Sequence, residues 1–307
     1  MKVLRSLAHF KLIKSTVVTL GNFDGIHLGH QSILKRLKAR ARALRCPSVV
    51  YTFDPHPLKV IVPDKSPPLI LDMEGKIELL KDFGIDYLVL ARFTEQFAAK
   101  HPDEFVGEVI VDGLKASEVL VGRNFSFGRG RAGNVRYLKT LSARFGFHVE
   151  VVPSVKRGGA VVSSSRVRAM VIHGEVRRAG ALLGRPFYLK GKVAKGSRIG
   201  RSIGFPTANL EVASELVPSN GVYAARVLLG RATHDALVNI GMAPTVKRDA
   251  RCVEVHLLGF RRSIYGRRME VAFLSRLRDE QRFATTAALA RQIREDVVRA
   301  RRLFSRV

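Results

Sequence analysis

A doubly wound parallel α/β sheet, followed by a small antiparallel β-barrel with a terminal helix, is the fold class this sequence predicts. Three observations predict it. In the first half, short β-branched runs alternate with amphipathic stretches of helical period. In the second half, short strands follow one another between Gly- and Pro-rich turns. Between the two patterns lies the interruption Gly184-Arg185-Pro186. Strands alternating with helices imply βα units and a parallel sheet, whereas closely spaced strands with turn signals imply an antiparallel barrel. The domains are therefore read as 1–183 and 184–307.

The strands of the first domain are expected at Thr16–Leu20, Ser48–Phe53, Asp86–Leu90, Glu118–Val121 and His148–Val152, each β-branched and bounded by turn residues. Helices are expected over 29–45, 73–83, 102–111 and 134–145, then 164–173 and 175–183. The first places Ile33, Leu34, Leu37, Ala41 and Leu44 on one stripe opposite Lys and Arg. The barrel strands are expected at Tyr188–Ala194, Val222–Leu229, Asp235–Ile240, Cys252–Leu258 and Met269–Phe273. A last helix, 284–303, is expected to pack through Leu289, Ile293, Val297 and Leu303.

Composition narrows the function classes. The 307 residues carry 53 Lys+Arg against 26 Asp+Glu, a net charge of +27, with 46% hydrophobic residues to build a core. No apolar run is long enough to span a bilayer, and the basic N-terminus is interrupted by His9, Lys11 and Lys14, unlike a signal-peptide core. Cys46 and Cys252 lack metal-type spacing, so a reducing cytoplasm is the expected setting, with no membrane partner. The excess charge is spread evenly, +13 in 1–183 and +14 in 184–307. The closest approach to a basic block is Arg299, Arg301, Arg302 and Arg306. These alternate with Val298, Ala300 and Leu303 and read as a solvated helix face. Nucleic acid, an anionic membrane surface and small phosphate-rich substrates could each account for such an excess, but with no basic block present no specific nucleic-acid partner is expected.

The run GNFDGIHLGH, 21–30, follows the first strand and opens the first helix, where a doubly wound sheet binds its ligand. Gly21, Gly25 and Gly29 let backbone N–H groups approach a phosphate, next to the positive end of a helix dipole. His27 and His30, three apart, share a face and can donate to phosphate oxygens as charge builds during transfer. The bland alternative is a glycine-rich turn with two surface histidines. In VSSSRVR, 162–168, Ser164 and Ser165 are either helix N-caps or, with Arg168 one turn on, a polyphosphate clamp. In VGRNFSFGRG, 121–130, Asn124, Phe125 and Phe127 suit a planar ring, although the two Phe are equally suited to a core.

In the second half, GKVAKGSRIGRSIGFPTANL, 191–210, reads as a basic loop with Gly196, Gly204, Lys195 and Arg201 near phosphate, stiffened by Pro206. Thr207 and Asn209 then alternate onto one face and offer the hard oxygens that Mg²⁺ prefers. Glu254, in CVEVHLL, shares its strand face with Cys252 and His256. It is either an exposed strand carboxylate or a general base for a hydroxyl.

GNFDGIHLGH, TFDPHP (52–57), VGRNFSFG and VSSSRVR, in this order, resemble the adenylyltransferase module of bacterial bifunctional riboflavin kinase/FMN adenylyltransferase, a member of the HxGH nucleotidyltransferase superfamily. GRxxGFPTAN, GVYAARV (221–227), NIGMAPTV (239–246), EVHLLGF (254–260), YGRRMEV (265–271) and the terminal QIRED helix resemble its riboflavin kinase module. The resemblance covers essentially the whole chain. It implies two ATP-dependent reactions, riboflavin to FMN and FMN to FAD. It implies that His27 and His30 bind ATP phosphates and stabilise adenylyl transfer. Gly21, Asn22, Phe23, Gly29, Asn124, Ser164, Ser165 and Arg168 would contact nucleotide or flavin phosphate. Thr207 and Asn209 would hold Mg-ATP, and Glu254 would take the proton of the ribityl 5′-hydroxyl. Ser165 stands where the family usually has Thr, Ala243 where Arg is common, and Gly259 where an acidic residue is common.

Overall fold

The computed structural model describes residues 1–194, 203–242 and 251–305. The chain forms two compact units, Met1–Ser163 and Ser164–Val307.

The first unit is built on six parallel strands: β1 (Lys2–Leu4), β2 (Thr16–Leu20), β3 (Ser48–Asp54), β4 (Tyr87–Arg92), β5 (Ala116–Gly122) and β6 (His148–Val152). Their order is β1-β4-β3-β2-β5-β6. All five residues of β2 are buried, which is why TVVTL reads as a continuous apolar run with two threonines. Those threonines are satisfied within the sheet, Thr16 Oγ1 donating to Leu114 O and Thr19 Oγ1 to Leu120 O. From β2 the chain moves outward to β3 and β4, then resumes at β5 on the other flank of β2. The direction of progression therefore reverses at β2 and β5, and the crevice at their carboxyl ends is the expected ligand site.

Helix α1 (Leu28–Ala43) packs on the sheet through Leu34, Leu37 and Ala41. It is tied to β5 by Arg40, whose Nε lies 2.9 Å from both carboxylate oxygens of the buried Glu118. Leu44 does not join the buried stripe, as the spacing had suggested; it is 44% exposed. The helix stops at Ala43, and a Schellman turn (Arg45 N to Arg42 O, Cys46 N to Ala41 O) carries Leu44 off the apolar face. Helices α2 (Met73–Asp82) and α3 (Val135–Phe145) lie where helices were expected. The expected single helix at 102–111 is one α-turn, Pro102–Phe105, running into a π-helical stretch, Val106–Gly113. Strand β1 was not expected: three residues hold it by parallel pairing with β4.

The second unit begins with α4 (Ser164–Ile172) and α5 (Val176–Leu183), followed by β7 (Phe187–Ala194), β8 (Ala208–Val212), β9 (Gly221–Leu229), β10 (Ala232–Met242), β11 (Arg251–Leu257) and β12 (Arg268–Arg278). These six strands close into an antiparallel barrel, in the order β7-β8-β11-β10-β9-β12. Five strands were expected; the sixth is β8, which pairs with β7 on one side and β11 on the other. Without it the sheet would have two open edges. Helix α6 (Thr286–Phe304) covers Ala224 and Leu237 on the outer wall with Ile293, Val297, Leu303, Ala300 and Phe304. Arg278 fixes it there, with Nε 2.9 and 3.1 Å from the carboxylate oxygens of Asp296, which is 1% exposed. Arg278→Ala leaves that buried carboxylate without its counter-charge, with the Gln292 amide still donating to it at 3.3 Å. The expected loss is about 3–5 kcal/mol of barrel stability, read as a lower urea midpoint; an unchanged midpoint would refute the role of the pair.

Candidate active sites

Three loops meet at the carboxyl edge of the parallel sheet because β3, β2 and β5 are neighbours there. The loop after β2 carries residues 21–27 and leads into the first turn of α1 with His30, the loop after β3 carries His56, and that after β5 carries Asn124. Gly21 N donates to Tyr51 O, extending the β2–β3 pairing into the first loop. The loop then turns sharply. Gly25 has φ 86°, and the buried Phe23 and Ile26 also sit at positive φ, 46° and 40°. Non-glycine residues in this region cost about 1 kcal/mol or more each, a strain that the burial of both side chains opposes. Asp24 sits beneath the turn and accepts from Ile70 N and Leu71 N at 3.0 and 3.3 Å.

The turn delivers the two histidines side by side. His27 caps α1, its Nδ1 accepting from His30 N at 3.3 Å. In the neutral ring this leaves the proton on Nε2, the atom that can donate to a phosphate oxygen. The rings are stacked, with centroids 3.8 Å apart and planes 13° apart. Burial, followed by His27 and then Lys76, holds the His30 pKa well below 6.5, so this imidazole is neutral at pH 7. A Cβ at Gly29 would lie 3.1 Å from the His27 ring, close enough to press on the stack.

Lys76, on α2, is a cation that sequence reasoning missed. It is 5% exposed, and its Nζ donates to Asn22 O at 2.8 Å. Burial lowers its pKa, an effect opposed by Asp24 and Asp54. The signal was there: Lys76 lies one turn before the buried Leu80, on the face of α2 that ought to be apolar. His56 was quoted only as part of TFDPHP. Its Nε2 lies 3.1 Å from the Asn22 side-chain amide.

Asn124 is exposed after β5. Phe127 is 7% exposed and packs against Phe105 in the core, so its ring is committed to packing; Phe125 stacks on it and stays partly open. Ser164 and Ser165 open α4 and Arg168 lies one turn further, in the second unit. Gly196, Arg201 and Lys195 lie outside the described residues, whereas Gly204 is exposed with φ 85°.

The second site lies on the outer wall of the barrel. Val253 and Val255 point inward and are buried, so Glu254 faces outward with Cys252 and His256, as alternation predicted. Register places Asn209 of β8 and Asn239 of β10 directly opposite Glu254, one on each flank. Burial raises the Glu254 pKa, while a hydrogen bond from Asn239 opposes the shift. Glu254, Thr207 and Asn239 line a cleft of about 310 Å³ whose other walls include Phe205, Phe283, Leu289 and Ile293. Thr207 also lines a second cavity of about 440 Å³, together with Arg261, Arg262 and Tyr265. Thr207 thus borders both this cleft, which Glu280 and the Arg278–Asp296 pair also line, and a cavity bearing two guanidiniums.

Stacked imidazoles at a helix start, a buried lysine and a parallel-sheet crevice define a nucleotidyltransferase-type unit. The closed barrel with its wall carboxylate defines a kinase-type one. Family models agree unit by unit: FAD synthetase matches residues 10–166 and riboflavin kinase residues 183–304. Bifunctional riboflavin kinase/FMN adenylyltransferase of Escherichia coli (strain K12) is 36% identical, with 99% of this chain and 98% of that protein covered. The Pseudomonas fluorescens protein of the same description is 38% identical over 94% of this chain and 93% of its own. A solved Streptococcus pneumoniae structure, described as a macrolide-efflux protein, superposes with a TM-score of 0.88 at 31% identity, covering 98% of both chains. Among the described residues here, no helix is long and apolar enough to cross a membrane. The chain belongs to the bifunctional riboflavin kinase/FMN adenylyltransferase family.

Lys76→Met keeps the length of the side chain and removes its charge. FAD formation from supplied FMN should fall about 100-fold, with riboflavin phosphorylation unchanged. Equal loss of both reactions would show that Lys76 serves stability and not this site.

Proposed function

We propose that the chain phosphorylates riboflavin to FMN in its barrel module, 184–307, and adenylylates FMN to FAD in its amino-terminal module, 1–183, with a reducing cytoplasm as its setting. The observation that carries the first activity is Glu254, set between two asparagines in the lining of a cleft that Phe205, Leu289 and Ile293 also line. Riboflavin occupies that cleft, with the isoalloxazine against Phe205, Leu289 and Ile293. ATP occupies the neighbouring cavity, its phosphates near Arg261 and Arg262. Glu254 takes the proton as the ribityl 5′-oxygen bonds to the γ-phosphorus, and ADP leaves. Thr207, on both cavities, stands where the two substrates must meet.

Mg²⁺ is the cofactor of this reading. The donor set fits: the Thr207 hydroxyl and Asn209 amide are neutral oxygen ligands that leave room for phosphates and water. Bound there, the ion would neutralise charge on the transferring phosphoryl group.

In the other module, an FMN phosphate oxygen attacks the α-phosphorus of ATP and pyrophosphate departs. This nucleophile is already anionic, so no base is required. His27 Nε2–H and the neutral His30 donate to phosphate oxygens, and Lys76 adds positive charge from beneath the loop. Asn124 and Phe125 are the flavin-side candidates. Ser164, Ser165 and Arg168 have a phosphate-contacting role from the resemblance; the FAD synthetase match reaches residue 166.

Separate assays with riboflavin, FMN and ATP test the two-site reading. Glu254→Gln should abolish FMN formation and spare FAD formation from FMN, and the double change His27→Ala/His30→Ala should do the reverse. If either variant struck both reactions equally, two independent sites would be the wrong description. The raised Glu254 pKa gives a sign for pH dependence: the base is lost as pH falls through it. The acid limb of kcat/KM for FMN formation should therefore lie above the ordinary carboxylate range, while a limb at or below pH 4 would contradict the base assignment.

A further inference from the structure

At the amino-terminal edge of the parallel sheet, opposite the histidine crevice, lies an open cavity of about 740 Å³. It is bordered by the starts of β3 and β4 and by the end of α1, and Lys2, Lys38, Arg42 and Arg45 line it. Among its described lining residues the only carboxylate is Asp86, and that group is already engaged. It accepts from Ser48 N at 2.9 Å and from Ser48 Oγ at 2.6 Å. Lys38 is held in place by its bond to Phe83 O at 3.1 Å. Four like charges gathered around a concave surface repel one another, and an anion relieves that repulsion.

The end of α1 supports the same reading. Arg45 occupies the left-handed position that closes the helix, with φ 50°. At the corresponding positions Gly84, Gly146 and Gly184 follow α2, α3 and α5. A non-glycine residue there is strained, and what it adds is a guanidinium on the cavity rim. The Ala41 and Arg42 carbonyls accept from Cys46 N and Arg45 N, at 3.0 and 3.2 Å, and so are covered.

We propose that this cavity binds a compact polyphosphate anion, of the pyrophosphate or tripolyphosphate class, at a site separate from both active sites. Four cations around a pocket of small-ligand volume match a di- or triphosphate better than the long track of phosphates in a nucleic acid.

Cys46 lines the same cavity and serves as a local reporter, with Cys252 of the barrel as internal control. Full-length protein would be alkylated with iodoacetamide, with and without inorganic pyrophosphate, against sodium chloride of equal ionic strength. The modification rate at each cysteine would be read by mass spectrometry. Saturable slowing at Cys46, about tenfold at ten times the half-protecting concentration, with Cys252 unchanged, is the expected result. The double change Arg42→Ala/Arg45→Ala should remove the protection and leave both catalytic activities intact. Arg45→Gly, which relieves the backbone strain, should raise the thermal midpoint yet weaken protection, so a misfolded double variant would not decide the matter. Three results would overturn the proposal: no protection by millimolar pyrophosphate, equal protection by salt, or protection by a single-stranded RNA but not by pyrophosphate.

Discussion

Parallel pairing across β3, β2 and β5 is the constraint on which the amino-terminal site depends. Parallel strands send all their carboxyl ends to one edge, and the reversal of strand order at β2 leaves a crevice there instead of a continuous row of crossovers. Loops separated by more than a hundred residues of sequence are thereby brought together with no need to contact one another early in the chain. The burial of β2 on both faces makes that edge rigid. The strained turn at Phe23 and Ile26 is affordable only because the strand beneath cannot move and both side chains are locked in the core.

Both sites then use desolvation in opposite directions. In the crevice, burial disfavours the charged forms of His30 and Lys76, so the imidazole stays a neutral donor. On the barrel wall, burial favours the proton on Glu254, making it a stronger base than an exposed carboxylate. One physical cause thus favours the uncharged form at both sites, lowering the pKa of His30 and Lys76 and raising that of Glu254.

Much of this was legible in the sequence, for definable reasons. β2 to β6 show as β-branched runs because both faces of the sheet are covered, and Glu254 shows as an outward residue because Val253 and Val255 alternate with it. β1 was not legible: three residues carry no period, and only pairing with β4 makes them a strand. β8 was only partly legible: Thr207 and Asn209 alternate as on a strand, yet the five residues Ala208–Val212 include polar Asn209 and Glu211 and follow a basic Gly-rich loop, so no separate barrel strand was expected there. Asn239 and Lys76 were missed because their roles come from cross-strand register and from the inward side of a helix, neither of which sequence spacing alone supplies. Leu44 erred the other way, its period continuing past the point where the helix stops.

Strand β8 has a double duty. Its five residues are the stave that closes the barrel, and two of them pair with Val255 and Glu254 on β11. A ligand gripping Asn209 also grips that stave. If Asn209 holds nucleotide as proposed, substrate occupancy and the integrity of the barrel are linked equilibria: nucleotide would act as a clasp on the fold, and starvation for it would loosen the barrel first along this seam.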